Sequence, residues 1–88
     1  MNNLSSILNS NLPTLDLHGV DRETARVMIN DFIRDNVKLK QDTFLIVHGI
    51  GSGILKAATF DTLRKNRQVM EFGIHYFNSG CTIVRIKI

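Results

Sequence analysis

Apolar positions along the chain switch repeatedly between the two-residue period of a strand and the 3.6-residue period of a helix. Pro13 leads into a first strand, in which Leu15 and Leu17 point to one face and Asp16 and His18 to the other. Ala25, Met28, Ile29, Phe32 and Ile33 then recur as one helical face, with Arg22, Arg26, Asp31 and Arg34 off the stripe. Asp21 is the expected N-cap, because its carboxylate can accept from the orphan amides of the first turn. This helix is expected to fray near Asn36 to Lys40. Phe44 to Val47 is a continuous apolar run that predicts a buried strand. A second helix is expected from about Ser52 to Asn66, with Ile54, Leu55, Ala58 and Thr62 on one side and Phe60 off it. Val69 to Phe77 holds a third strand, and Asn78-Ser79-Gly80 is a turn signal. From Thr82 to Ile88, the residues Val84, Ile86 and Ile88 face one way and Ile83, Arg85 and Lys87 the other. The order β-α-β-α-β-β predicts an α/β two-layer sandwich: a mixed four-stranded sheet, its last two strands a hairpin, with two helices on one face and the other face open. His48 falls into the same alternation as the apolar Phe44 and Ile46. If those two lie on the open face, the N-terminal tail or a ligand must cover them.

Residues 1–12 are rich in Asn and Ser and carry no charged side chain. They predict a mobile tail ahead of a domain spanning 13–88. Leu4, Ile7 and Leu8 have the spacing of one weak helical turn that a partner could dock. Eighty-eight residues allow one small domain. The single cysteine, Cys81, excludes an internal disulfide framework and fits a reducing compartment. No basic segment followed by an apolar one opens the chain. No apolar run approaches the ~18–20 residues needed to span a bilayer. The expectation is a cytoplasmic monomer with no membrane partner. A formal net charge of +3 and a pI of about 9.4 lean towards a polyanionic partner, while charge alone fits plain solubility equally well.

A repeated pattern carries the chemistry. Leu15-Asp16-Leu17-His18-Gly19 is echoed by Leu45-Ile46-Val47-His48-Gly49, with the two histidines 30 residues apart, about one βαβ unit. Parallel strands joined this way bring both His-Gly pairs to the carboxyl edge of the sheet, where open α/β sheets hold ligands. After the second copy, Gly49, Gly51 and Gly53 alternate into a helix start. Such a loop lets backbone amides approach an anion, and the helix N-terminus adds orphan N–H groups and partial positive charge. Lys56, one turn inside the helix, could reach the same anion. A tight βα turn with glycine needed only for packing is the alternative, and the glycines alone leave both open. The loop is not a P-loop, since the Gly-Lys-Ser/Thr ending is missing. Asp16 beside His18 pairs a carboxylate with a group that exchanges protons near neutral pH. His75 is expected at the surface and Cys81 as a small strand residue. Arg64, Lys65 and Arg67 close the second helix and can serve its dipole or join Arg85 and Lys87 in a basic surface.

With these residues in place, the chain resembles the small MutS-related (Smr) domain. The resemblance rests on Leu-Asp-Leu-His-Gly before a helix, His-Gly-x-Gly-x-Gly opening a second helix, and the closing Gly80-Cys81-Thr82-Ile83-Val84, and it spans Leu15 to Ile86. It departs where the family's paired glycines before the closing glycine are replaced by Phe77-Asn78. The resemblance implies a fold similar to the C-terminal domain of translation initiation factor three. It implies nucleic-acid binding, RNA or DNA, with endonuclease activity in several members and the ribosome as a further partner of some. It maps the first motif onto Asp16 and His18 and the glycine-rich motif onto His48, Gly49, Gly51 and Gly53. The resulting expectation is a phosphodiester-cleaving site with Asp16, His18 and His48 as the proton-handling set. Gly49, Gly51, Ser52, Gly53, Lys56, Arg85 and Lys87 would hold the phosphate backbone. A divalent cation, Mg or Mn, on Asp16 stays open, although one carboxylate is a thin site for Mg²⁺. The competing expectation is a binding module that uses the same loop without chemistry.

Overall fold

The structure is a computed structural model that describes residues 12–76 and 78–88. The expected tail, up to residue 11, and Phe77 as the end of the third strand lie outside the described residues. The elements are β1 (Thr14–Asp16), α1 (Arg22–Lys38), β2 (Thr43–Val47), α2 (Ile54–Lys65), β3 (Val69–His75) and β4 (Asn78–Ile86). The sheet order is β1-β2-β4-β3. β1 runs parallel to β2, and β4 is antiparallel to both β2 and β3. β1, β2 and β3 therefore all end at one edge, and β4 starts there. This is the expected mixed sheet with both helices on one face.

The registers decide the faces. Leu15 pairs with Ile46, and on β4 Thr82 and Val84 pair with Ile46 and Phe44. These residues, with Leu17 and Ile86, form the sheet's half of the core, and Ala25, Ile29 and Ile33 of α1 close it. Phe32 meets Phe44 edge-to-face with centroids 5.0 Å apart. Phe44 and Ile46 are thus covered by α1 and need neither tail nor ligand. Asp16, paired with Val47, lies on the opposite, open face with Leu45, Ile83 and Arg85.

Asp21 caps α1 as expected, accepting from the Thr24 amide at 2.7 Å. The helix ends inside the expected span, 36–40. It runs to Lys38 and ends when Lys40 takes a left-handed φ of 57°. Hydrogen bonds from the Thr24 hydroxyl and then its amide hold the Asp21 carboxyl below its ordinary value. A depressed native pKa stabilises above the unfolded-state value and is lost as pH falls through the native one. The stability gap between the wild type and Asp21→Ala should therefore be full at neutral pH and close below the carboxylate range. Thermal midpoints of both proteins across an acid series check this.

Four expectations need correction. Asn78-Ser79-Gly80 is not the hairpin turn. These residues open β4, and the chain reverses between His75 and Asn78, which pair directly. The same irregularity between Ile74 and His75 breaks the alternation of β3, so His75 is buried rather than on the surface. α2 begins at Ile54 behind a left-handed Gly53 (φ 84°), which turns Thr59, Thr62 and Leu63 inward and leaves Ile54 exposed. Phe60 packs edge-to-face on Phe72 at 5.1 Å. Finally, β4 ends at Ile86, its flanking amides donating to Asp42 and Gln68, and Ile88 is exposed.

Candidate functional site

The carboxyl edge is built from the ends of β1 and β2 and the loops that follow. At the end of β1, Asp16 Oδ1 accepts from the His18 amide at 2.9 Å. The carboxylate thus shapes the turn that carries His18, and Gly19 completes it at φ 79°. The expected orienting contact is made to the His18 backbone rather than to its ring. The imidazole is exposed.

At the end of β2, His48 turns to the helix side and is only 6% exposed. Its Nδ1 lies 2.9 Å from the Gly49 carbonyl and its Nε2 2.7 Å from Thr82 Oγ1. A carbonyl can only accept, so Nδ1 carries the hydrogen, and in the neutral ring Nε2 accepts from the Thr82 hydroxyl. His48 and His18 therefore lie on different sides of the sheet edge and do not form a pair. The amides of His48 and Gly49 both donate to the Gly80 carbonyl, at 3.0 and 2.9 Å. A Cβ on Gly80 would stand 3.3 Å from the Gly49 backbone, so glycine is what lets the two segments approach. Together these contacts form a latch that fixes the start of the glycine loop to β4.

The loop's glycines divide by role. Gly49 and Gly53 have left-handed φ values of 79° and 84°, which penalise any side chain. Gly51 has neither a positive φ nor an atom within 4 Å of its Cβ position. The Gly49 amide is already engaged by Gly80, so an anion would meet the amides that follow it, from Ile50 to Gly53, and the first turn of α2.

An open groove of about 460 Å³ joins these parts: Asp16, His18 and Gly19 on one side, Val47 to Gly51 on the other, and Leu55 at the back. Its size suits a small-ligand cleft. Asp16 is its one carboxylate, and among the described residues no three His, Cys, Asp or Glu side chains converge. This donor set does not fit a divalent cation held by the protein alone. Burial pushes the Cys81 thiol up from its ordinary value, as suits a packed strand residue.

The cations expected around the loop are scattered. Lys56 Nζ sits 6.0 Å from the Phe60 ring centroid, on the flank of α2, and Arg64 approaches the same ring at 5.8 Å. Arg85 is ion-paired to Glu71 at 2.6 Å on the open face. Because β4 runs away from the loop, Arg85 and Lys87 lie towards the opposite edge of the sheet. Arg64, Lys65 and Arg67 end α2 at that same far edge, where Lys65 pairs with Asp61 at 3.1 Å. One cation at the carboxyl edge escaped the sequence reading. Arg22, first residue of α1, lines a groove with Ile54 and Ala57 of α2 and has no ion pair among the described residues. Its position directly after the Asp21 cap was the available signal.

A family profile described as the Smr domain matches residues 15–87, which take in every groove residue and the latch. The chain belongs to the Smr domain family. Among its relatives, the protein named Endonuclease MutS2 of Streptococcus suis (strain 05ZYH33) is 40% identical over 76 residues, 83% of this chain and 10% of the relative. Endonuclease MutS2 of Aquifex aeolicus (strain VF5) is 38% identical over 77 residues, 84% of this chain and again 10% of the relative. The chain therefore spans about a tenth of the length of these relatives. Two solved Smr structures share the fold. The Smr domain of Thermus thermophilus MutS2 superposes with a TM-score of 0.85 at 24% identity, covering 88% of this chain and all of that one. YdaL, a stand-alone small MutS-related protein from Escherichia coli, superposes with a TM-score of 0.78 at 20% identity, covering all of this chain and 78% of that one. Among the described residues of this Smr domain, no helix is long and apolar enough to cross a membrane.

Proposed function

We infer that this Smr domain binds the phosphate backbone of a nucleic acid at its carboxyl edge and cleaves a phosphodiester there. The observation that carries the reading is the groove that sets Asp16 and His18 beside a glycine loop whose amides from Ile50 to Gly53 donate to no protein group among the described residues. The relatives named as endonucleases support the chemistry. One phosphate oxygen rests on the amides from Ile50 to Gly53, where the α2 dipole and Arg22 balance its charge. His18 takes the proton of the attacking hydroxyl or water as the new P–O bond forms. The leaving oxygen departs with the electrons of the broken P–O bond and is protonated by His18 or by solvent. Asp16 sets the turn that aims the imidazole. His48 handles no proton in this reading, since both its ring nitrogens are engaged inside the protein; it holds the loop in shape.

A binding module without chemistry is the second reading. It is favoured by one observation: among the described residues, His18 is the only imidazole in the groove whose ring no protein group engages. Labelled single-stranded RNA, duplex DNA and branched DNA, each with Mg²⁺, Mn²⁺ or EDTA, separate the two readings. Cleavage of any of them establishes the enzyme. Binding without cleavage establishes the module, and neither binding nor cleavage refutes both.

Gly51→Val tests the cradle itself. With space around Gly51 and no left-handed φ, the thermal midpoint should stay within a few degrees of the wild type. A branched side chain in front of the loop amides should weaken oligonucleotide binding about tenfold. An unfolded variant, or one that binds normally, would remove the loop from the interface.

A further inference from the structure

The β3–β4 hairpin flanks the glycine loop, and at its turn stands Tyr76, 89% exposed. The registers locate it. Ile74 is level with Thr82 and, through it, with Ile46. The register then shifts between Ile74 and His75, and Tyr76 stands past the end of β3, at the same carboxyl edge of the sheet as His48, the residue that opens the loop. β3 and β2 are two strand spacings, about 10 Å, apart across the sheet. β4 fills that interval at the latch, where the Gly80 carbonyl takes the His48 and Gly49 amides. The tyrosine is thus carried on a segment tied directly to the loop. An aromatic ring this exposed lies outside the core, and exposed aromatics beside a phosphate-binding surface have a specific use in stacking on nucleobases. Ile50, at the tip of the loop and 72% exposed, adds a second apolar surface on the same edge.

We propose that Tyr76 is a base-stacking platform, so that the ligand of this edge is a single-stranded segment whose phosphate lies on the glycine loop and whose base lies on the Tyr76 ring. This rests on the phosphate-binding reading above and names its substrate class. The base lies more than one nucleotide from the bound phosphate, since two strand spacings of about 10 Å exceed one ~3.4 Å step of a stacked strand. A duplex cannot satisfy both contacts, because its bases are already stacked on one another. Stacking is indifferent to base identity, so the preference is for unpaired bases rather than for a sequence.

The chain contains one tyrosine and no tryptophan, so the ring signals of Tyr76 can be followed without labelling or assignment. Proton spectra should show those signals moving upfield on titration with a short single-stranded oligonucleotide and staying in place with an abasic strand of equal length. In anisotropy titrations Tyr76→Ala should weaken binding of the base-bearing strand about tenfold, within the range for loss of one stacked base. It should leave the abasic strand and the thermal midpoint unchanged, while Tyr76→Phe binds like the wild type. Equal affinity of the wild type for base-bearing and abasic strands, or no loss in Tyr76→Ala, overturns the proposal and leaves Tyr76 to contact a protein. If Gly51→Val still loses binding in that case, the phosphate reading survives. If no strand or duplex binds the wild type, both fall together.

Discussion

Alanine at position 18 is expected to lower the cleavage rate by about 10²–10⁴-fold, the usual contribution of a positioned general acid or base, while oligonucleotide affinity stays within about twofold. The asymmetry follows from placement. His18 stands on the β1 side of the groove, and its imidazole is exposed and makes no hydrogen bond among the described residues, so its removal leaves no buried polar group among them and no cavity. In the proposed binding mode the phosphate is held across the groove by the backbone of the glycine loop, which His18 does not support. Single-turnover cleavage and anisotropy, run on the same substrate, separate the two quantities. Cleavage equal to the wild type would end the catalytic assignment. Loss of binding in step with cleavage would make His18 a binding group instead.

His48→Ala should act in the opposite way, through stability. It removes a buried ring that receives the hydroxyl of Thr82, a residue with no exposed surface, and that donates to the Gly49 carbonyl. Each buried group left without its partner costs about 1–3 kcal/mol, and the cavity adds to that. A loss of about 3–5 kcal/mol is expected, a large share of the ~5–15 kcal/mol typical of a whole domain. Thr82→Val, close to isosteric, removes only the donor and should cost about 1–3 kcal/mol, whereas Thr82→Ser keeps the bond. Urea unfolding of the three variants measures the series. If His48→Ala lies within about 0.5 kcal/mol of the wild type, the latch contributes little and the loop holds its own shape.

The order of elements and the groove itself were legible in the sequence, because both rest on local signals. The Asp21 cap, the face of α1 and the recurrence of a strand ending in His-Gly are each read within a few residues. The helix-side burial of Phe44 and Ile46 was not, because alternation says which residues share a face but not which face it is. That choice came from pairing with Leu15 and Val84, residues far away along the chain. The hairpin was misplaced for a related reason. Asn78-Ser79-Gly80 is turn chemistry by composition, yet Gly80 is needed for its close approach to Gly49, thirty-one positions earlier. The distribution of cations was equally hidden. Nothing near Arg85 or Lys87 in the sequence shows that β4 carries them away from the loop. Arg22 gains its position only because α1 starts where β1 ends.

The latch also bears on when the site comes into being. β4 is the last strand in the chain and sits in the middle of the sheet, between β2 and β3. The groove therefore takes its final form only after the most sequence-distant pairing in the domain has closed, a step that high contact order makes slow. A partly folded domain with β1, α1 and β2 in place would hold both motifs but not the carbonyl that sets the first loop amides. Competence to bind is then gained in the same cooperative event as the fold, and a nascent or damaged chain is inert rather than weakly active. Under the proposed nucleic-acid function, that coupling is a form of safety.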